Sequence, residues 1–339
     1  MREFIVANQK GLSLIELMIA VVVGLFLTAG MVQLFTNSSH TYRVQENLSR
    51  LQENGRFAME FLTRDIRMAD YSGCARYSLA NAVNNLDTAH ADYDPVIHGF
   101  GEGIDGTNGV AGASIALDAP DSITIRTAED SGIMVVPPYG PLTSANIKTT
   151  TNSGLKEGDI VTVTDCTRAD IFQISNANPS GSGTVVHNSG NATSPGNRNP
   201  TNCGGGGNAH CLSKVYQGDA SIFRLSTLVY TIQNGKAGSL ALFRNGDELV
   251  EGVENMQILY GEDNTPMDSN FSADSYVPAG TANMANVVSI KINLVLSTLE
   301  DSVATQAMPF TVFGDTVTIA DRKVRRVFSS TIAVRNRLP

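Results

Sequence analysis

The sequence predicts an α+β protein: one long N-terminal α-helix packed on an antiparallel β-sheet with large loop insertions. Three observations carry this. Residues 17–35 form an almost uncharged apolar run near the N-terminus. Helical spacing of apolar residues then continues to about residue 71, with no proline before Pro95. Beyond Cys74 the pattern changes to period-two alternation, interrupted by tracts rich in Gly, Ser, Thr and Asn.

Within the run 17–35 only Thr28 and Gln33 are polar. Wound as a helix, the run spans about 28 Å, close to the hydrocarbon thickness of a bilayer. Arg2 and Lys10 precede it, which keeps the N-terminus cytoplasmic and sends the bulk of the chain across the membrane. A discarded secretory signal is the plainer reading, and Leu27-Thr28-Ala29 offers it a small-residue cut site. Two features oppose it. Glu16 stands at the head of the run, where a carboxylate is costly and by default functional, and the helical pattern outlasts the run.

Past the run, Val44, Leu48, Leu51, Gly55, Ala58, Leu62, Ile66 and Ala69 recur at intervals of three and four and mark one apolar face. Glu46 with Arg50, Arg56 with Glu60, and Glu60 with Arg64 stand four apart on the other faces. The expectation is a helix over 12–71, about 90 Å long, ended by Gly73 as a C-terminal cap. Gly24, Gly30 and Gly55 are the points where it could bend. On its own, the stripe over 44–69 reads simply as a core face.

Candidate strands follow at Ser122–Thr127, Ile160–Thr164, Ala169–Ile174, Ser221–Ile232, Leu240–Phe243, Met256–Tyr260, Val287–Leu296, Ala307–Phe313 and Val324–Val334. Turn-rich tracts at 176–183 and 189–207 separate them, the second ending in four glycines after Cys203. Hydrophobic residues make up 42% and charged residues 17% of the chain, which suits a folded protein and not a disordered one. A net charge of −9 argues against a nucleic-acid partner, since phosphate neutralisation needs clustered Lys and Arg.

Cys74, Cys166, Cys203 and Cys211 form an even set without a C-x-x-C. In an oxidising compartment they read as two disulfides, with three pairings open, and a Cys203–Cys211 bridge would clasp the glycine-rich loop. The chain has no H-E-x-x-H, G-x-S-x-G or G-x-x-x-x-G-K-[ST] motif. Cys203, His210 and Cys211 fall short of a zinc ligand set. Glu262, Asp263, Asn264 and Asp268 lack EF-hand spacing and read as solvated turn residues. The expectation is a non-enzymatic protein with no catalytic residue, metal or cofactor.

Lys10-Gly11-Leu12-Ser13-Leu14-Ile15-Glu16, followed by the apolar helix, resembles the processing motif of type IV pilins and type II secretion pseudopilins. The resemblance implies that prepilin peptidase cuts after Gly11 and methylates the new amino group of Leu12. It implies retention of the helix and a role for Glu16 as the assembly carboxylate. Glu16 lies one turn beyond Leu12, so a neighbouring subunit's Leu12 amino group is its natural partner inside a filament. Major pilins carry a proline inside the apolar helix, and its absence here suits a minor subunit.

Arg50-Leu51-Gln52-Glu53-Asn54-Gly55-Arg56-Phe57-Ala58, Tyr71-Ser72-Gly73-Cys74, Gly158-Asp159 through Asp165-Cys166, and Arg325-Arg326-Val327-Phe328 through Arg335-Asn336-Arg337 are similar to PilW-type minor pilins. That resemblance implies a Cys74–Cys166 pair, leaving Cys203 with Cys211. The organisation it implies is a prepilin leader peptide at 1–11, an apolar membrane and filament-core helix at 12–36, its amphipathic continuation at 37–73, and a periplasmic β-rich domain at 74–339. The function it implies is a minor pilin that supports pilus assembly or initiation, near the tip. Its partners would be prepilin peptidase, the major pilin, other minor pilins, the inner-membrane assembly platform and inner-membrane lipid. The chain would rest in the inner membrane with its globular domain in the periplasm before joining the fibre. A type II secretion pseudopilin is the alternative, and a membrane-anchored periplasmic adhesin or enzyme a more distant one.

Overall fold

The structure, a computed structural model, describes residues 13–74, 81–109, 119–129, 132–142, 144–189, 193–198, 212–265 and 272–338. Its first element is α1 (Leu14–Met68), an unbroken helix of 55 residues and roughly 80 Å. Leu51, Ala58, Leu62, Ile66 and Ala69 are buried as the spacing predicts, Gly55 is buried with them, and Val44 and Leu48 are half-buried. Of the three expected charge pairs, only Glu46–Arg50 forms among the described residues, at 2.8 Å.

The helix stops at Met68, three residues before the predicted end and ahead of Gly73. The cause is tertiary. Thr127 Oγ1 donates to the Met68 carbonyl at 2.7 Å, and Asn336 Nδ2 donates to the Ala69 carbonyl at 2.9 Å. Partners distant in sequence thus take acceptors that a further turn would have used. Asp70 then adopts φ 63, and its buried carboxylate accepts from Arg337 Nε at 3.0 Å. Gly73 does have φ 86, but within the connection, with the Phe223 ring where a Cβ would stand.

All nine predicted strands exist, with ends shifted by up to three residues. In chain order the strands are β1 (Val83–Asn84), β2 (Ile104–Thr107), β3 (Ser122–Ala128), β4 (Ile133–Met134), β5 (Asn146–Lys148), β6 (Ile160–Thr164), β7 (Ala169–Gln173) and β8 (Thr184–Val186). There follow β9 (Ser221–Asn234), β10 (Leu240–Arg244), β11 (Asp247–Glu251), β12 (Val253–Glu262), β13 (Ser275–Val277), β14 (Val287–Ser297), β15 (Pro309–Val312), β16 (Asp315–Thr318) and β17 (Arg325–Ala333). Those the periodicity missed are two to five residues long, too short to show a period. β11, Asp-Glu-Leu-Val-Glu, is also hidden by its charge.

One nine-stranded sheet runs β1-β7-β6-β9-β10-β11, with β2, β3 and β4 attached through β3 and β9. The expected α+β fold, a long helix on a mostly antiparallel β-domain, is present; within it β1 joins β7 in parallel, and a separate sheet has the order β13-β12-β14-β17. Its long ladders β12–β14 and β14–β17 are antiparallel. The main core lies between α1 and this second sheet, where Leu51, Ala58, Leu62 and Ile66 meet Ile258, Ile290, Ile292, Leu294 and Ile332. A second core, around Val161, Val163, Phe172 and Ile222, lies between the larger sheet and the separate β5–β8 pair, which contributes Ile147 and Val185. β9, at 14 residues, serves both regions: its first half pairs with β6 and its second with β3 and β10.

Candidate functional site

Ser13 caps α1 with an extended backbone, φ −74 and ψ 150. Its hydroxyl accepts from the Glu16 amide at 3.3 Å, while Glu16 Oε2 accepts from the Ser13 amide at 2.9 Å and from the Ser13 hydroxyl at 3.1 Å. This reciprocal pair is a capping box, and the S-x-x-E spacing that encodes it was open to sequence reading. It turns the Glu16 carboxylate back toward the N-terminal mouth of the helix, where the dipole favours an anion. Gly11 and Leu12 lie outside the described residues.

From Leu14 to Phe35 the large apolar side chains are 50 to 77% exposed, and nothing else among the described residues covers them. By length and composition this stretch can cross a membrane. Its one hydroxyl turns inward, Thr28 Oγ1 donating to the Gly24 carbonyl at 2.7 Å, as does Thr36 Oγ1 just beyond it, to the Gln33 carbonyl at 3.0 Å. The cylinder therefore presents side chains suited to lipid or to other helices, with these polar groups satisfied internally.

The lower half of α1 is held to the β-domain by polar pins as well as by its stripe. Arg43 pairs with Glu300 at 2.9 Å, and Asn47 Nδ2 donates to the Arg43 carbonyl at 2.9 Å and to Glu300 at 3.4 Å. Asn54 Nδ2 donates to the Glu251 carbonyl at 3.2 Å. Buried Asp65 accepts from the Tyr230 hydroxyl at 2.5 Å and from Arg244 at 3.2 Å. Burial, then the Asp65 hydrogen bond and charge, push the Tyr230 hydroxyl well above its ordinary range. Sequence reading overlooked Asn47 and Asp65; the available signal was a polar residue standing beside the apolar stripe. Gly55, expected as a bend point, is instead where the Phe328 ring lies against the helix, leaving no room for a Cβ.

A disulfide joins Cys74 to Cys166 with their Cα atoms 5.4 Å apart, the pairing implied by the family resemblance. It ties the connection after α1 to the β6–β7 turn. Asp165 shapes that turn, accepting from the Thr167 amide at 3.0 Å and the Arg168 amide at 2.9 Å. Burial pushes the Asp165 carboxyl up, but Lys214, the Arg168 amide and Thr167 together hold it far below the usual range. Cys203, His210, Cys211 and Asp268 lie outside the described residues. Glu262 and Asp263, expected as solvated turn residues, are buried. Glu262 accepts from the Asn283 amide and Asp263 from the Thr265 amide. Among the described residues no three His, Cys, Asp or Glu side chains gather as a metal site would need.

Residues 222–336 match the family described as type IV pilus-assembly protein W, and residues 6–32 match the prokaryotic N-terminal methylation motif. The first match runs from β9 through β17 to the turn that grips the end of α1. It includes the Arg325-to-Asn336 stretch read as PilW-like, whereas the stretches at 50–58, 71–74 and 158–166 fall outside it. No curated protein and no solved structure matches the chain. The two matches, over about a third of the chain and over its N-terminal segment, support a type IV pilin-like protein of the PilW type. It fits a membrane-anchored protein carrying a globular domain.

Proposed function

We propose that this PilW-type, pilin-like chain is a minor pilin, structural rather than enzymatic, that supports the assembly or initiation of a type IV pilus near its tip. The observation that carries the reading is the division of one continuous helix. Its first half is apolar and uncovered, while its second half is pinned to the β-domain. A protein that merely needed an anchor would not require that rigid continuity. A filament subunit does, because its helix must set the position of the domain against its neighbours.

In this reading residues 1–11 are the leader, removed by prepilin peptidase, and Leu12 becomes the methylated N-terminus. Residues 12–36 cross the inner membrane and later enter the filament core, 37–73 continue the helix, and 74–339 form the periplasmic domain. The capping box suits the handover, because Glu16 already faces the helix N-terminus. There its carboxylate would meet a neighbour's amino group and lose the cost of being an unpaired charge in an apolar core.

N-terminal mass spectrometry of the membrane-purified protein tests the processing step. A chain beginning at methylated Leu12 is expected, and one beginning near Gly30 would end the reading. Deleting the gene should reduce surface pili while leaving type II secretion intact; lost secretion with normal piliation would assign the chain to the secretion system.

A further inference from the structure

The outer edge of β17 and the groove beside it form a surface that the pilin reading does not use. β17 is the terminal strand of its sheet, paired on one side only with β14 over nine residues without a register shift. The Val334 amide donates to Val288 and the Thr298 amide to the Val324 carbonyl. The alternation of antiparallel bonding then turns the even-numbered backbone groups toward β14. It turns those of Arg325, Val327, Ser329, Thr331 and Ala333 outward. No strand lies along that edge among the described residues. It has no bulge or proline, and its only charged residues are Arg325 and Arg326 at its start.

A groove of about 700 Å³ runs between this strand and α1, floored by Phe328. Arg56, Arg64, Arg67 and Arg335 line it against a single carboxylate, Glu60. Arg56, Arg67 and Arg335 form no ion pair among the described residues, and Arg64 reaches only Asp65, at 3.3 Å. In a chain of net charge −9 this concentration of cations stands apart. Edge and groove ask for the same occupant: an extended backbone to complete the ladder, and acidic side chains to face the arginines.

We propose that β17 and the arginine-lined groove bind an extended acidic segment of a partner protein, which adds as a strand to the sheet. The inference rests on the edge and its charges and stands whether or not the chain enters a filament.

The test uses the full-length protein in detergent micelles and two decapeptides, alternating Thr-Glu and alternating Thr-Lys. The acidic peptide should bind at least tenfold more tightly, weaken with added salt, and slow amide exchange at Ser329 and Thr331. Thr331→Pro removes only an outward N–H and should abolish binding with the fold intact. Arg56→Glu with Arg67→Glu should weaken it tenfold or more. Equal binding of both peptides, no binding at millimolar concentration, or protection elsewhere on the chain would overturn the proposal. So would self-association lost in Thr331→Pro, which would give the edge to a second copy.

Discussion

Asp65 is the buried carboxylate through which α1 docks on β9 and β10. Its carboxylate serves Tyr230 and Arg244 at once, and Tyr230 is fully buried. Asp65→Ala would strand that hydroxyl and should cost about 2–3 kcal/mol. Asp65→Asn keeps an acceptor for Tyr230 and should cost about half as much; urea denaturation of the two variants checks the order. Asp165 allows a pH test. Its folded value is depressed, so the stabilisation is present above the ordinary aspartate value near 4 and fades as pH falls toward the folded value. Lys214→Met should therefore lower stability by about 1 kcal/mol at pH 7. That gap should shrink steadily below pH 4, as urea midpoints taken down to pH 2.5 would reveal.

At the scale of the element, three glycines in one helix separate by environment. A methyl at Gly55 would meet the Phe328 ring, whereas among the described residues nothing lies within 4 Å of a methyl at Gly24 or Gly30. Overpacking at 55 costs roughly 1–3 kcal/mol, against a helix-propensity gain of about 1. Gly55→Ala should thus lower the melting temperature, and adding Phe328→Leu should restore part of it. Gly30→Ala should leave the domain's melting temperature unchanged, because no described residue lies within 4 Å of the added methyl. The spacing that predicted one continuous apolar face was sound, since period 3.6 reports burial directly. It could not assign Gly55, because a gap in the stripe looks the same whether it permits bending or receives a ring from residue 328.

For the whole molecule, the β-domain grips the second half of α1 and then again the chain that leaves it. Arg337 and Asn336 hold the helix end, and Cys74–Cys166 ties the connection to the larger sheet across 92 residues of sequence. Replacing both cysteines by serine should cost about 2–5 kcal/mol, mostly through a freer unfolded chain. Urea curves of the parent and the double variant, both without reductant, measure that loss. The docked half of α1 should remain helical in the variant, because its stripe and polar pins do not depend on the bridge.

The sequence by itself determined the long helix, its apolar face, the nine principal strands and the S-x-x-E box at Ser13 and Glu16. Each is a local pattern in which neighbouring residues settle their own conformation or burial. Only the tertiary structure decided where the helix stops, why Gly55 is a glycine, what Asn47 and Asp65 hold, and that β17 leaves an edge beside four arginines. Those depend on partners as much as 269 residues away in the chain, a separation that no periodicity records. Glu16 spans the two: the capping box fixes its direction locally, and in the proposed reading its final partner comes from a neighbouring subunit.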